Sequence, residues 1–196
     1  MLLAGAYLLG SIPFSYLFPK IKGKNVQEGG TKNVGATNAL VVAGPLFGAL
    51  AWIGDVGKGY LAVYLAQMFI GTPWALTLAG IFAVIGHDFS IFLRFKGGKG
   101  VATTAGVFFA FDPLFTVVIT ILWVFFIVVS RYFIASTLVL LGLIPLLMRI
   151  LGMRLEVIVF SILAFLLACY THRNDVKRLL AGEEIRADVA IRKFLK

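Results

Sequence analysis

The chain has 196 residues, of which 60% are hydrophobic and only 14% charged, with a formal net charge of +9. Soluble domains carry about a quarter charged residues, so this composition excludes an ordinary soluble fold and points to a polytopic membrane protein. The basic residues lie between apolar runs instead of forming one soluble face, which sets nucleic-acid binding aside in favour of membrane topology.

The first apolar run, residues 2–18, has no lysine or arginine ahead of it and no clear small-residue cleavage site. It is read as a retained helix, not a signal peptide. Further spans are expected at 44–70, 74–93, 98–111, 113–130, 132–149 and 155–172, all helical, because a crossing needs about 20 mostly apolar residues. The run 98–111 is short and rich in Gly, Ala and Thr, so it has to pack inside the bundle, where small residues permit close helix contact. Asp112-Pro113 makes a turn, since proline disfavours helix in the residue before it. Cys169 is the only cysteine, which excludes an intrachain disulfide and argues against a cysteine metal site. No repeat or low-complexity linker is evident, so a single domain over 1–196 is expected.

Seven crossings with the N-terminus outside place 19–43, 94–97 extending to Lys99, Arg131 and 173–196 in the cytoplasm. Every lysine and arginine falls there except Arg149, Arg154 and Lys58, as the positive-inside rule requires. The C-terminal segment contributes Arg173, Lys177, Arg178, Arg186, Arg192, Lys193 and Lys196.

Three polar, glycine-bearing strings share this inferred face: Gly29 to Asn38, Phe95-Lys96-Gly97-Gly98-Lys99-Gly100-Val101-Ala102-Thr103, and Thr171-His172-Arg173-Asn174-Asp175. Glycines admit a ligand to the backbone, hydroxyls and amides orient oxygens, and lysine or arginine offsets charge, which together suit a phosphorylated ligand. The second string lacks the G-x-x-x-x-G-K-[ST] spacing and no strand precedes it, so it is not a nucleotide P-loop. It leads into a helix N-terminus, where free amides and the helix dipole favour an anion. Lys99 is the first choice for a phosphate ligand; topology alone is its other reading. Thr31, Asn33 and Asn38 read equally as turn and capping residues. Asp55 and Lys58 lie on one side of a helix and can pair, either as a structural ion pair or with Lys58 reaching the anion and Asp55 orienting it. His87 reads as a helix-end residue or a ligand, and His172 adjoins Arg173 in a polar string.

Neither histidine has an aspartate five positions later, and G-x-S-x-G is absent. Two histidines without a carboxylate or cysteine cluster make no metal site. Binding and charge stabilisation are therefore favoured over a covalent enzyme intermediate.

The chain resembles the bacterial membrane acyl-phosphate:glycerol-3-phosphate acyltransferases. The resemblance rests on Gly10-Ser11-Ile12-Pro13, Asn33-Val34-Gly35-Ala36-Thr37-Asn38, Asp55-x-x-Lys58-Gly59, His87-x-Phe89, Phe95 through Thr103, Ser130-Arg131-Tyr132, and His172-Arg173 followed by Arg178-Leu179. It implies acyl transfer from acyl phosphate to the 1-hydroxyl of glycerol 3-phosphate by a seven-helix enzyme of the bacterial inner membrane, with its site facing the cytoplasm. Gly97, Gly98, Lys99 and Gly100 are then associated with glycerol 3-phosphate, and His172 with activity. The candidate substrate-binding set is Ser11, Thr31, Asn33, Asn38, Lys58, His87, Gly97, Gly98, Lys99, Gly100 and Arg173, with His172 as the catalytic candidate. The expected partners are the two substrates and membrane lipid, with no cofactor, metal, nucleic acid or obligate protein partner.

The chain departs from the family pattern at several positions. Gly30-Thr31-Lys32-Asn33 stands where Gly-Ser-Gly-Asn is common, Gln27 replaces an arginine, and Asp175 replaces an asparagine with Asn174 beside it. Glu184 matches a family glutamate regarded as structural. The competing reading is a transporter or channel for a phosphorylated anion, which would place ligand groups on both faces.

Overall fold

A computed structural model describes residues 1–184, 186 and 187. Among them are ten α-helices, one short 3-10 turn and no strand. Arg192, Lys193 and Lys196 of the basic C-terminal segment lie outside the described residues. Two compact units are present, Met1–Asp112 and Pro113–Lys196.

In the first unit the predicted span 2–18 is broken into α1 (Leu2–Ser11) and α2 (Phe14–Ile21). Proline causes the break. Ile12 takes an extended ψ of 116°, because Pro13 disfavours the helical conformation in the residue before it and offers no N–H to the ladder. A short helix not foreseen in the sequence follows, α3 (Ala36–Ala43), ending at Gly44 with φ 98°, a value suited to glycine. Pro45 then starts α4 (Pro45–Phe69) at the first helical turn, where its missing N–H is not needed. α5 (Pro73–Asp88) leads through the 3-10 turn Ile91–Leu93 and the glycine-rich loop into α6 (Val101–Phe111).

The unit is held together by backbone approach. Cβ atoms added at Gly10 and Gly86 would meet Ala83 O at 2.1 Å and Tyr7 O at 2.2 Å, so α1 and α5 pack nearly backbone to backbone. Gly59 and Gly106 do the same for α4 and α6, against Thr103 O at 2.2 Å and Val56 O at 1.9 Å. Between these seams lie small buried side chains, Ala6, Ala62, Ala66, Ala79 and Ala83. In lipid, where apolar surface alone gives little drive, such close contact supplies dispersion and backbone packing instead. α6 has 11 residues, about 16 Å at the α-helical rise, and is short for the roughly 30 Å hydrocarbon core.

The second unit contains α7 (Pro113–Ser130), α8 (Phe133–Ile150), α9 (Leu155–Thr171) and α10 (Arg173–Leu180). Trp123 Nε1 of α7 donates to Thr137 Oγ1 of α8 at 2.9 Å. Ser130 Oγ accepts the Tyr132 N–H at 3.0 Å and closes the turn between them. α9 and α10 meet at a bend of 61°.

Every expected span coincides with helical structure. Leu2–Ile21, Pro73–Leu93, Pro113–Ser130 and Phe133–Ile150 are long and apolar enough to cross a membrane, and the bent pair α9–α10 passes the same test only when its two helices are taken as one span. α4 has the length and carries Asp55 and Lys58 in its middle.

Candidate active site

The break between α1 and α2 leaves the Ile12 carbonyl without a helical partner, inside the first unit. Lys58 supplies one, donating to Ile12 O at 2.8 Å while pairing with Asp55 Oδ1 at 2.8 Å. Lys58 is 2% exposed and Asp55 fully buried. The two predicted partners therefore do meet, and the ammonium is committed to them rather than extended towards a pocket.

Asp55 is a hub. Ser15 Oγ donates to its Oδ2 at 2.5 Å, and His87 Nδ1 lies 3.5 Å from its Oδ1. A buried carboxylate is costly unless paired or hydrogen-bonded, and this one is hydrogen-bonded by Ser15, ion-paired with Lys58 and approached by His87.

His87 and Asp88 form the platform of the glycine loop. Gly98 N–H donates to His87 O at 3.0 Å and Gly97 N–H to Asp88 O at 3.1 Å. A Cβ at Gly98 would come within 2.1 Å of His87 Nε2 and 2.3 Å of Val34 O, so the second polar string sits directly on His87 and on the first string. Gly100 has φ 72° and precedes α6, a backbone position that favours glycine. The predicted helix N-terminus is there, but a carboxylate is already set against it: Asp88 Oδ1 lies 2.9 Å from where a Gly100 Cβ would stand. Ser11 Oγ, Thr103 Oγ1 and both Asp88 carboxylate oxygens are buried without a hydrogen-bond partner among the described residues. Such atoms are the exception in folded proteins and concentrate where function requires them.

Asn38 is a clamp. Its Oδ1 accepts the Thr31 N–H at 2.9 Å, and its Nδ2 donates to the carbonyls of Val26, Asn33 and Gly29 at 2.8, 2.9 and 3.2 Å. Of the two roles read for this side chain, the structural one is the one in view: it holds the loop 26–33, because a single amide satisfies four backbone groups that no helix provides for. Thr31 is exposed and Asn33 half-buried. Asn38→Ala is expected to speed limited proteolysis within 26–33 by about tenfold or more, since each lost hydrogen bond weakens local closure by roughly 1 kcal/mol. Lys99 is half-buried between Gly98 and Gly100.

His172 and Arg173 belong to the second unit. His172 is buried at the α9–α10 bend, with Nδ1 2.9 Å from Ala168 O; since a carbonyl only accepts, Nδ1 carries the hydrogen there. Arg173 is exposed, stacked 4.2 Å over the Tyr170 ring and donating to Tyr170 O at 2.7 Å. Arg178 pairs with Asp175 and, at 3.1 Å, with Glu184, a structural place for that glutamate.

Ser15, Asp88 and Thr103 were not singled out in the sequence. Ser15 follows Ser11 by four residues, a spacing that hints at a shared face, although the break at Pro13 intervenes. Thr103 closes the second polar string without having been given a role there, and Asp88 carries no such signal. Among the described residues no group of three or more His, Cys, Asp or Glu is placed to hold a metal ion.

The family profile described as glycerol-3-phosphate acyltransferase matches residues 1–182. A glycerol-3-phosphate acyltransferase of Carboxydothermus hydrogenoformans is 44% identical over 180 residues, covering 91% of each chain. One of Thermotoga petrophila is 38% identical over 184 residues, 93% of each. The fold is similar to crystal structures of PlsY, an integral membrane glycerol 3-phosphate acyltransferase. The glycerol 3-phosphate form aligns with TM-score 0.89 at 35% identity, covering 94% of this chain and 93% of that one. The lysophosphatidic acid form gives 0.87.

Proposed function

The chain belongs to the glycerol-3-phosphate acyltransferase family, and from that premise we propose that this membrane enzyme takes its acyl group from acyl phosphate, releasing inorganic phosphate and lysophosphatidate. The observation that carries the site is the seat of Gly98 on both His87 Nε2 and Val34 O, which joins two of the three phosphate-competent strings into one structure. Seven crossings, an outer N-terminus and a site on the cytoplasmic side of a bacterial inner membrane complete the reading. The distribution of lysine and arginine along the chain supports this topology.

Lys99 and the backbone of Gly97 to Gly100 bind the glycerol 3-phosphate phosphate, with Ser11, Thr31 and Asn33 as further contacts and Arg173 supplying positive charge. Two phosphates enter, and one leaves as inorganic phosphate while the other stays on lysophosphatidate, so a basic, partly desolvated loop both concentrates the substrates and stabilises the departing anion. The attacking 1-hydroxyl forms the new ester bond as the acyl–phosphate bond breaks. Its proton passes to a phosphoryl oxygen of the donor, which departs as inorganic phosphate, so no side chain serves as the sole base. His172, its ring orientation fixed by Ala168, is the catalytic candidate that aligns the reacting groups.

Purified protein given acyl phosphate and glycerol 3-phosphate should release phosphate and form lysophosphatidate in equal amounts; product only with acyl-CoA or acyl carrier protein overturns the donor. His172→Asn should slow the chemical step yet leave it measurable. Its complete loss with unchanged substrate binding would make His172 the base. Lys99→Ala should raise KM for glycerol 3-phosphate by about 10- to 100-fold, the worth of one charge-assisted hydrogen bond.

A further inference from the structure

We propose that Asp55 and His87 form a positioning pair that sets the glycine-rich loop for glycerol 3-phosphate, without either side chain touching the substrate. The inference rests on the reading above that this loop binds the substrate phosphate. It replaces the expectation that His87 is itself a ligand.

His87 is 6% exposed, and both ends of its ring are engaged. Nδ1 faces the buried carboxylate, 3.5 Å from Asp55 Oδ1. Nε2, at the other end of the ring, is the atom on which Gly98 rests: an added Cβ would lie 2.1 Å from it. The backbone of the same residue holds the loop from the other side, through His87 O and the Gly98 N–H at 3.0 Å. The imidazole is thus a spacer of fixed length between a buried carboxylate and the loop, in the manner of the outer partners that orient histidine ligands in metal sites.

Asp55 is fixed in turn by Ser15 Oγ on Oδ2 and by Lys58, which also ties Ile12 O. The order of support runs from the proline break, through Lys58 and Asp55, to His87 and Gly98. Elements far apart in sequence give the loop one position, and a loop whose amides must meet a phosphate loses affinity when displaced by a fraction of an ångström.

The test is steady-state kinetics on Asp55→Asn, His87→Gln and His87→Ala, with KM measured separately for each substrate. Asn at 55 presents an N–H to His87 Nδ1 or loosens the ring, so KM for glycerol 3-phosphate should rise about tenfold while KM for the acyl donor stays within about twofold. His87→Gln, long enough to reach Gly98 with an oxygen, should recover most of the affinity that His87→Ala loses. In the His87→Ala background, Asp55→Asn should add nothing further to that KM. Ser15→Ala loosens the carboxylate without removing a charge and should act in the same direction to a smaller extent, which keeps the test available if Asp55→Asn does not fold. Equal changes in both KM values, or additive effects of the two substitutions, overturn the positioning role. An unchanged KM in Lys99→Ala instead overturns the reading of the loop as the phosphate site.

Discussion

Lys58→Met is expected to destabilise the protein by about 3–5 kcal/mol, the typical result of removing one partner from a buried ion pair. The ammonium lies 2.8 Å from both Asp55 Oδ1 and Ile12 O. Without it a carboxylate stays buried with only Ser15 and His87 beside it, and the carbonyl exposed by the Pro13 break keeps only the Phe14 N–H at 3.2 Å. A loss of this size consumes much of the 5–15 kcal/mol that typically separates folded from unfolded protein. Unfolding by denaturing detergent in mixed micelles measures it, with Asp55→Asn/Lys58→Met as the companion variant. The double variant should be more stable than Lys58→Met alone, because it removes the uncompensated charge along with its partner. Lys58→Met with wild-type stability and a raised KM would return Lys58 to the role of substrate ligand.

Gly98→Ala should reduce activity by at least about a hundredfold, close to 3 kcal/mol of transition-state stabilisation. The methyl group would stand 2.1 Å from His87 Nε2 and 2.3 Å from Val34 O. The imidazole is held by Asp55, and Val34 O is backbone, so neither can move aside cheaply. Relief comes only by displacing the loop. Gly57→Ala is the matched control: nothing lies within 4 Å of a Cβ there, and alanine is the better helix former, so activity should stay within about twofold. A Gly98→Ala enzyme with wild-type kcat/KM would show that the loop's seat on His87 has no bearing on catalysis.

The helical positions were legible because composition and run length act locally: a run of apolar residues too long for a soluble helix forms its own backbone hydrogen bonds wherever it sits in lipid. The Asp55–Lys58 pair was legible for a related reason, since three residues along a helix return to the same side. The break within 2–18 had a visible cause in Pro13, yet the sequence reading carried the helix through it, since its apolar pattern continues to Phe18. α3 was hidden by the glycines, threonines and asparagines around it, which read as a turn. Asn38 was named correctly as a polar residue with work to do, but its partners are the carbonyls of its own loop, and no spacing rule distinguishes that from a ligand contact.

Sequence alone therefore determined the membrane class, the helices, the polar strings and the family pattern, all of which depend on residue type and on separations of a few positions. Tertiary structure decided what those strings are fastened to. Ser15 reaches Asp55 across 40 residues and Lys58 reaches Ile12 across 46, and Gly98 comes to rest on His87 and Val34. Such contacts follow from how closely α1, α4, α5 and α6 approach, which glycines permit but do not specify. For that reason the loop could be read as a candidate phosphate site from its residues, while the network supporting it became visible only in the folded chain.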